Sequence, residues 1–366
     1  MKFLLVTTEY FPFKGGVANY YTNMIYHWPK SSEITVIDNN HNRLIRKNGF
    51  LKWLPAIKVV FKEVKKNKID NILVGQILPL GTVVFILSFF LKIKYSIFFH
   101  GMDLSFCSKN IWKKFLSKMI INRSSKIICA NSFVCEMLIN IYNQDRSKLI
   151  IVNPGVNNFN FNNEQKKEEL ISKYNLSNKK ILFSLGRLVK RKGFDYTILS
   201  LKKVFDSSPL FDEDLKYIIA GNGPDEEYLK KIAKNIFGDN FSEKIIFVGE
   251  ISEEEKWTFL SLSDIFIMPA RNVAGDFEGF GIVFLEASLL SKPVIAGKSG
   301  GITDAVADSI SGLMVDPESE EEISQAILKL LNDPDLCNRL GENGKKRTLA
   351  NFVWKNQVEK IYNFLK

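Results

Sequence analysis

Short apolar runs rich in β-branched and aromatic residues recur along this chain, each followed by a longer stretch whose apolar positions return every three or four residues. In the first part, residues 3–7, 34–37, 72–74, 95–99, 126–130 and 149–152 read as strands, and 17–27, 57–66, 83–91, 110–123 and 132–141 as helices. Repeated βα units predict a parallel sheet with helices on both faces. The pattern breaks at Asn153-Pro-Gly-Val-Asn157, and the polar residues to about Asn178 read as a linker. It restarts with strands at 181–185, 217–221, 245–248, 265–268 and 293–296. Ser319, with Glu322 three residues on, has the spacing of a capping box, so a helix should run from there to about Leu331. Helical patterns over 335–349 and 354–365 complete the series.

A chain of 366 residues is too long for one ordinary core and suits two domains. With 46% hydrophobic and 25% charged residues it is a soluble globular protein, not a disordered one. Residues 1–9 read as a first strand, since the apolar run is too short for a signal peptide and is interrupted by Glu9. Residues 72–91 are the one stretch long enough to suggest a membrane span. Gly75, Gln76, Pro79 and Gly81 interrupt it, so a strand, a turn and a buried helix are expected. Cys107, Cys129, Cys135 and Cys337 have no paired spacing and read as thiols of a reducing, cytoplasmic compartment.

Charge changes the picture more. Residues 1–150 hold 22 Lys and Arg against 8 Asp and Glu, a net of +14, whereas the remainder holds 28 against 32, a net of −4. Such asymmetry suggests an anionic partner for the first half, a membrane surface or a nucleic acid, with a merely solvated basic face as the alternative. Helix 110–123 places Trp112, Phe115, Leu116, Met119 and Ile120 on one stripe beside Lys113, Lys114, Lys118 and Arg123. Packing of that stripe on the helix's own sheet is the expected arrangement, and a membrane interface the other. No base-stacking motif or recognition helix accompanies the charge, so no nucleic-acid partner is expected.

Several strand ends carry polar groups where α/β sheets bind their ligands. The strand at 265–268 ends at Pro269 and leads through a loop to Glu278-Gly279-Phe280-Gly281-Ile282 and helix-compatible residues up to Leu290. The glycines let backbone N–H groups approach a ligand closely, and the helix dipole favours an anion there, most often a phosphate. Glu278 stands before the helix and Glu286 within it, so one carboxylate can face a ligand's far end while the other accepts from a diol such as ribose. An ordinary helix start with one capping and one exposed Glu would look the same locally. The strand at 181–185 runs into Gly186-Arg187-Leu-Val-Lys-Arg-Lys192-Gly193, where Arg187 offers a fork and Lys192 a point charge suited to a pyrophosphate. The first strand leads to Lys14-Gly15-Gly16, and the strand at 95–99 to His100-Gly101-Met102-Asp103.

Glu278, seven intervening residues and Glu286, followed by Ser291-Lys-Pro-Val-Ile-Ala296 and Gly300-Gly-Ile-Thr-Asp304, resemble the donor-binding signature of glycosyltransferase family 4. Arg187 and Lys192 match that family's phosphate-binding pair, and residues 275–283 are similar to the branch containing the phosphatidylinositol mannoside mannosyltransferases. The resemblance implies an α/β GT-B fold, two doubly wound Rossmann-like domains facing a cleft. Residues 1–165 would form the acceptor side, 166–352 the nucleotide-sugar domain, and 353–366 a helix crossing back to the first. It also implies a retaining enzyme with no cofactor beyond its co-substrate, GDP-mannose being favoured over a UDP-sugar. Arg187 and Lys192 would hold the leaving pyrophosphate, Glu278 the transferred sugar's hydroxyls, Glu286 the ribose and Ile251 the base. Gly279, Phe280, Gly281 and Ile282 would complete the donor site, with Gly15 and Gly16 against the donor's phosphate and the acceptor. His100 would reach the sugar or acceptor from across the cleft.

No metal is expected: Asp212-Glu-Asp214 and Asp333-Pro-Asp335 have metal-motif spacing but polar, solvated surroundings. The expected activity is mannosyl transfer to a lipid-linked or glycan acceptor, with peripheral contact to an anionic membrane at its inner face. The alternatives are a UDP-sugar-dependent transferase with a soluble acceptor and a non-enzymatic two-domain sugar-nucleotide-binding protein. A periplasmic sugar receptor, which also has two α/β domains around a cleft, has no need of cationic pyrophosphate ligands, and an inactive partner subunit would show damage at a motif position, where none is found.

Overall fold

The structure, a computed structural model, describes residues 1–13, 15–47, 51–108, 110–157, 161 and 163–366. Lys14 of the expected glycine turn lies outside the described residues, as do residues 158–160 and 162 of the expected linker. Two units are formed, one from Met1–Gly155 with Val353–Lys366 and the other from Val156–Phe352.

In the first unit, strands β1 (Lys2–Val6), β2 (Glu33–Ile37), β3 (Asn71–Val74), β4 (Lys94–Phe99), β5 (Lys126–Cys129) and β6 (Leu149–Ile151) pair in the order β2-β1-β3-β4-β5-β6, all parallel. Between them lie α1 (Gly16–Tyr26), α2 (Leu54–Asn67), α3 (Thr82–Leu91), α4 (Met102–Ser108), α5 (Ile111–Arg123) and α6 (Ser132–Tyr142). Alternate strand residues Leu4, Ile72, Ile97 and Ile127 pack beneath α2 to α6, and Phe3, Leu5, Leu73, Phe98 and Ile128 pack on the opposite face. Strands buried on both sides explain the continuous apolar runs of the sequence.

The second unit contains α7 (Glu164–Tyr174), β7 (Lys180–Leu185), α8 (Phe194–Ser207), the single turn α9 (Phe211–Asp214), β8 (Leu215–Ala220), α10 (Glu226–Phe237) and β9 (Ile245–Gly249). It continues with α11 (Glu253–Leu262), β10 (Ile265–Met268), α12 (Ile282–Leu289), β11 (Val294–Gly297), α13 (Ile302–Ala305), β12 (Leu313–Val315), α14 (Glu320–Asn332) and α15 (Pro334–Asn351). Its parallel order, β12-β11-β10-β7-β8-β9, reverses between β7 and β10. Such a switch point, at the C-terminal strand ends, is where open α/β sheets bind their ligands. The last helix, α16 (Trp354–Leu365), belongs to the first unit, where Trp354, Val358, Ile361 and Leu365 are buried beside Phe3, Tyr20 and Trp28.

Three expectations need correction. The polar stretch read as a linker contains a helix, α7: Asn163 caps it by accepting from the Lys166 N–H at 3.0 Å, and it buries Leu170 with Ile171 and Tyr174 packed alongside. One apolar turn is enough for a surface helix, too little to show as periodicity. The stripe expected to bury α5 is also displaced: Ser117, Ile120 and Ile121 face inwards, whereas Trp112, Phe115 and Met119 are exposed. At Ser319 only half a capping box forms, because Glu322 accepts from the Asp316 N–H instead. The complete box lies at Ser252 and Glu255, the start of α11. Residues 72–91 form β3, an irregular turn and α3, and among the described residues no helix is long and apolar enough to cross a membrane.

Candidate functional site

At the strand ends of β7 and β10, two of the candidate donor-binding residues, Lys192 and Glu278, are brought together. Gly193, at φ +77°, ends the turn after β7 and caps α8; a Cβ there would lie 2.1 Å from the Pro269 carbonyl oxygen. Only glycine lets this turn touch the loop after β10. The Arg271 N–H then donates to the Arg191 carbonyl at 2.8 Å, and the buried Arg271 guanidinium holds Asp195 through two bonds of 2.8 and 2.7 Å. The two loops are therefore locked together at the switch point.

That lock sets the chemistry. Lys192 Nζ lies 2.8 Å from Glu278 Oε2, and Arg191 donates to the same oxygen at 3.0 Å while its Nε donates to Asp276 at 2.9 Å. Burial opposes ionisation of Glu278, but the two cations outweigh it and hold its carboxyl below the usual carboxylate range. Both bonds fall on Oε2, which leaves Oε1 unused by these two cations. Behind Glu278, the Gly301 N–H of the 299–303 turn donates to its carbonyl at 3.2 Å. Gly281, at φ +78°, starts α12, with Gly279 and Phe280 before it and Ile282 as its first residue.

Glu286, one turn into α12, is not beside Glu278's cations. Lys256 of α11 reaches Glu286 Oε1 at 2.7 Å. Burial pushes the Glu286 carboxyl up and the Lys256 ammonium only partly offsets it. Burial also works against the charge of Lys256, but Glu286 and Glu253 together raise its pKa. Ile251, immediately before α11, and Ile282 pack on the same core cluster. Arg187 differs from Lys192: it is exposed, and among the described residues it has no ion pair or hydrogen bond. Its neighbour Leu188 is buried and tied to the end of β8 by a 3.0 Å bond to the Asn222 carbonyl, which fixes where Arg187 emerges.

In the first unit a second cluster forms at the ends of β1, β3 and β4. The Tyr21 hydroxyl of α1 lies 2.8 Å from the Gly75 carbonyl and 2.8 Å from His100 Nε2. A phenol has one hydrogen and a carbonyl only accepts, so Tyr21 donates to Gly75 and His100 Nε2–H donates to Tyr21. His100 Nδ1 is thereby left as an acceptor. Burial lowers the His100 pKa to about 4, so the ring is neutral near pH 7. Asp103 accepts from the N–H groups of His100, Gly101 and Leu104, yet burial still raises its pKa. Burial, with Asp103 nearby, also raises that of Glu9. Gly15 caps α1 in an extended conformation, and a Cβ on it would stand 3.8 Å from Glu9; Gly16, the first residue of α1, has open space beside it.

The sequence did not point to Arg191, Lys256, Asp195, Arg271 or Tyr21. Arg191 was hidden within a basic run, and its partners lie 85 and 87 residues away. Lys256 would have been found only by noticing the capping box that places it on α11. Among the described residues no group of three or more His, Cys, Asp or Glu could hold a metal ion; Asp212 and Asp214 instead pair with Lys244 and Lys179.

The family model described as "Glycosyl transferases group 1" matches residues 166–347, and "Glycosyltransferase Family 4" matches 14–158. An uncharacterized glycosyltransferase of Methanocaldococcus jannaschii is 27% identical over 99% of this chain and 98% of its own length. A GDP-mannose-dependent alpha-(1-6)-phosphatidylinositol monomannoside mannosyltransferase of Mycobacterium tuberculosis is 33% identical, over 58% of this chain and 54% of that protein. Among solved structures, Anabaena HepE in complex with UDP and glucose superposes with a TM-score of 0.78 at 17% identity, covering 100% of this chain and 99% of that one. Two parallel six-stranded sheets with this strand order, and a last helix returned to the first unit, are the GT-B architecture. With both halves matched by its family models, and Arg187, Lys192, Glu278 and Glu286 in place around the second unit's sheet, the chain belongs to glycosyltransferase family 4.

Proposed function

We propose that this chain transfers a hexose, mannose in the first instance, from a nucleotide-sugar donor to a lipid-linked or glycan acceptor with retention of anomeric configuration. The observation that carries the reading is the Lys192–Glu278 pair at the β7/β10 switch point, a cation and a carboxylate fixed at the strand ends by the Arg271–Asp195 lock. In this reading an acceptor hydroxyl oxygen bonds to the anomeric carbon as the bond from that carbon to the diphosphate oxygen breaks; the electron pair goes to the diphosphate, which also takes up the hydroxyl's proton. Arg187 and Lys192 stabilise that charge as it develops. Glu278 Oε1 accepts from hydroxyls of the transferred sugar, and Glu286, through the oxygen not engaged by Lys256, accepts from the ribose. Ile251 lies against the base, and the backbone of Gly279, Phe280, Gly281 and Ile282 approaches the phosphates. In the first unit, Gly15, Gly16 and His100 serve the acceptor side, with His100 Nδ1 accepting from a hydroxyl. Two fixed cations supply the charge for the leaving group, so the reaction proceeds without a metal, and excess EDTA should leave turnover unchanged.

Mannose and GDP are favoured because the partly covered mycobacterial relative is a GDP-mannose-dependent enzyme. A UDP-sugar with a soluble acceptor is the second reading. The test is a panel of nucleotide sugars assayed for thermal shift and slow hydrolysis, since a bound donor stabilises the fold increasingly above its dissociation constant. GDP-mannose should give the largest shift and measurable release of GDP. A UDP-sugar giving the larger shift and turnover would establish the second reading, and binding without turnover of any donor would leave a non-enzymatic sugar-nucleotide-binding protein. In this reading the chain works peripherally at the inner face of a membrane, and the basic first half supports that.

A further inference from the structure

Of the eighteen exposed large hydrophobic side chains among the described residues, eleven lie between residues 51 and 119, and only three in the second unit. Ten of the eleven are spread over helices that share one side of the first unit, and Leu51 lies in the turn before α2. Ala56, Val60 and Val64 of α2, Val83 and Leu87 of α3, Leu104 of α4 and Ile120 of α5 all enter the same core cluster, so the opposite faces of these helices point away from the sheet together. On those outer faces stand Phe61 of α2, Phe89 and Phe90 of α3, Phe106 of α4, and Trp112 and Phe115 of α5, with exposures from 43% to 78%.

The charge along this stretch of chain is mostly lysine. Residues 51–119 contain twelve Lys, no Arg and three acids, Glu63, Asp70 and Asp103. None of the acids neutralises a lysine there: Asp70 accepts from the Lys2 backbone, Glu63 from Asn67, and Asp103 is turned to backbone N–H groups. Among the described residues no lysine of this segment is in an ion pair, whereas most ion pairs of the chain belong to the second unit. Two cations lie over the exposed rings, Lys113 at 3.5 Å from the Phe106 centroid and Arg123 at 3.8 Å from that of Phe89. Beside α2, four cations (Arg43, Lys58, Lys62 and Lys66) and one acid, Glu63, line an open groove of about 600 Å³ together with Val59 and Phe61.

From this juxtaposition we propose that the outer face of α2, α3, α4 and α5 docks on an anionic lipid bilayer, with Trp112, Phe115 and Phe106 entering the headgroup boundary and the surrounding lysines meeting lipid phosphates. Lysine is depleted from protein–protein interfaces, whereas an apolar face edged by lysines whose stems lie along it and whose ammonium groups reach outwards suits a lipid interface. The inference deepens the reading of the first unit as the side that receives a lipid-linked acceptor, and it rests on that reading for its purpose. Met102 and Phe106 follow His100 by two and six residues, so the docking face runs up to the strand edge assigned to the acceptor.

The test is co-sedimentation of the full chain with vesicles of phosphatidylcholine alone or with about one-third phosphatidylglycerol, at low salt and at about 0.5 M salt. Binding should occur to the anionic vesicles and fall at high salt, because surface charge is screened within about 8 Å at physiological ionic strength. Trp112→Ser with Phe115→Ser should reduce binding about tenfold or more, and Lys113→Glu with Lys114→Glu and Lys118→Glu on the order of a hundredfold. The donor thermal shift of each variant serves as the control for folding and should not change. Equal binding to both vesicle types, binding to neither, or undiminished binding by both variants would overturn the proposal. Vesicle binding without donor turnover would sink the transferase reading and leave this one standing; turnover without vesicle binding would do the reverse.

Discussion

At the residue scale, His100 shows how burial selects a protonation state. The folded ring has its pKa lowered to about 4 by burial, against an ordinary value of 6.5. Between those values the unfolded chain binds the extra proton, so this group's contribution to stability is present above about pH 6.5 and is lost as pH falls towards 4. The full loss is roughly 3 to 4 kcal/mol. Glu9 and Asp103, whose pKa values burial raises, act with the opposite sign. The stability of the parent relative to His100→Gln, read from urea midpoints, should therefore fall as pH drops from about 6.5 towards 4; parallel curves would show the ring to be solvated. The same neutral ring should leave no inflection near pH 6.5 in kcat/KM. At the donor site, Lys192→Ala or Arg187→Ala should lower turnover about a hundredfold, by analogy with a lost oxyanion donor. Turnover within threefold of the parent would remove either residue from the mechanism. Arg191 acts through Glu278. Arg191→Met should lower kcat about tenfold by loosening that carboxylate, while nucleotide affinity, read by calorimetry, stays the same and Arg191→Lys recovers part of the loss.

At the scale of elements, the lock between the loops after β7 and β10 is a buried pair whose removal should be felt well beyond its own residues. Asp195→Ala leaves the Arg271 guanidinium buried without its partner, and denaturant unfolding should show a loss of about 3 to 5 kcal/mol. The double change Asp195→Leu with Arg271→Met removes both charges and should restore much of that stability. A double variant as unstable as the single one would show that the pair's geometry, not the stranded charge, is what matters.

Sequence periodicity carried the elements far: α16 occupies 354–365 as expected, and β4, β7 and β10 differ from expectation by no more than one residue at either end. It carried least where a face is set by neighbours. Helix α5 has apolar residues on both sides, and which side meets the sheet depends on α3 and α4, so Trp112 and Phe115 could not be assigned outward from the pattern alone. Helix α7 was illegible because its single buried turn around Leu170 lies in an otherwise polar stretch. The site divides in the same way. Arg187, Lys192, Glu278 and Glu286 were legible because their spacing along the chain is itself the signal. Arg191, Lys256 and Tyr21 were not, since their meaning comes from partners 30 to 87 residues distant.

At the scale of the whole molecule, each unit has its own sheet and core, and α16 supplies a wall of the first. A chain ending at Phe352 would expose Phe3, Tyr20, Trp28 and Phe98 on one face of that sheet. The first unit of such a chain should lose its cooperative unfolding transition, while the second keeps its own and retains the nucleotide-induced thermal shift. A single unaltered transition would show that α16 contributes little.

That arrangement has a consequence for the protein's birth on the ribosome. Domains commonly fold in the order in which they are made. Here the earlier-made one must wait, because its last helix is translated only after all of Val156–Phe352 has been. The later-made unit has every strand and helix it needs before the earlier one is whole. Through that interval the aromatic face around Phe3 and Tyr20 is an unfinished surface on a nascent chain, and it needs shelter until residues 353–366 clear the exit tunnel. The order of maturation is thus the reverse of the order of synthesis.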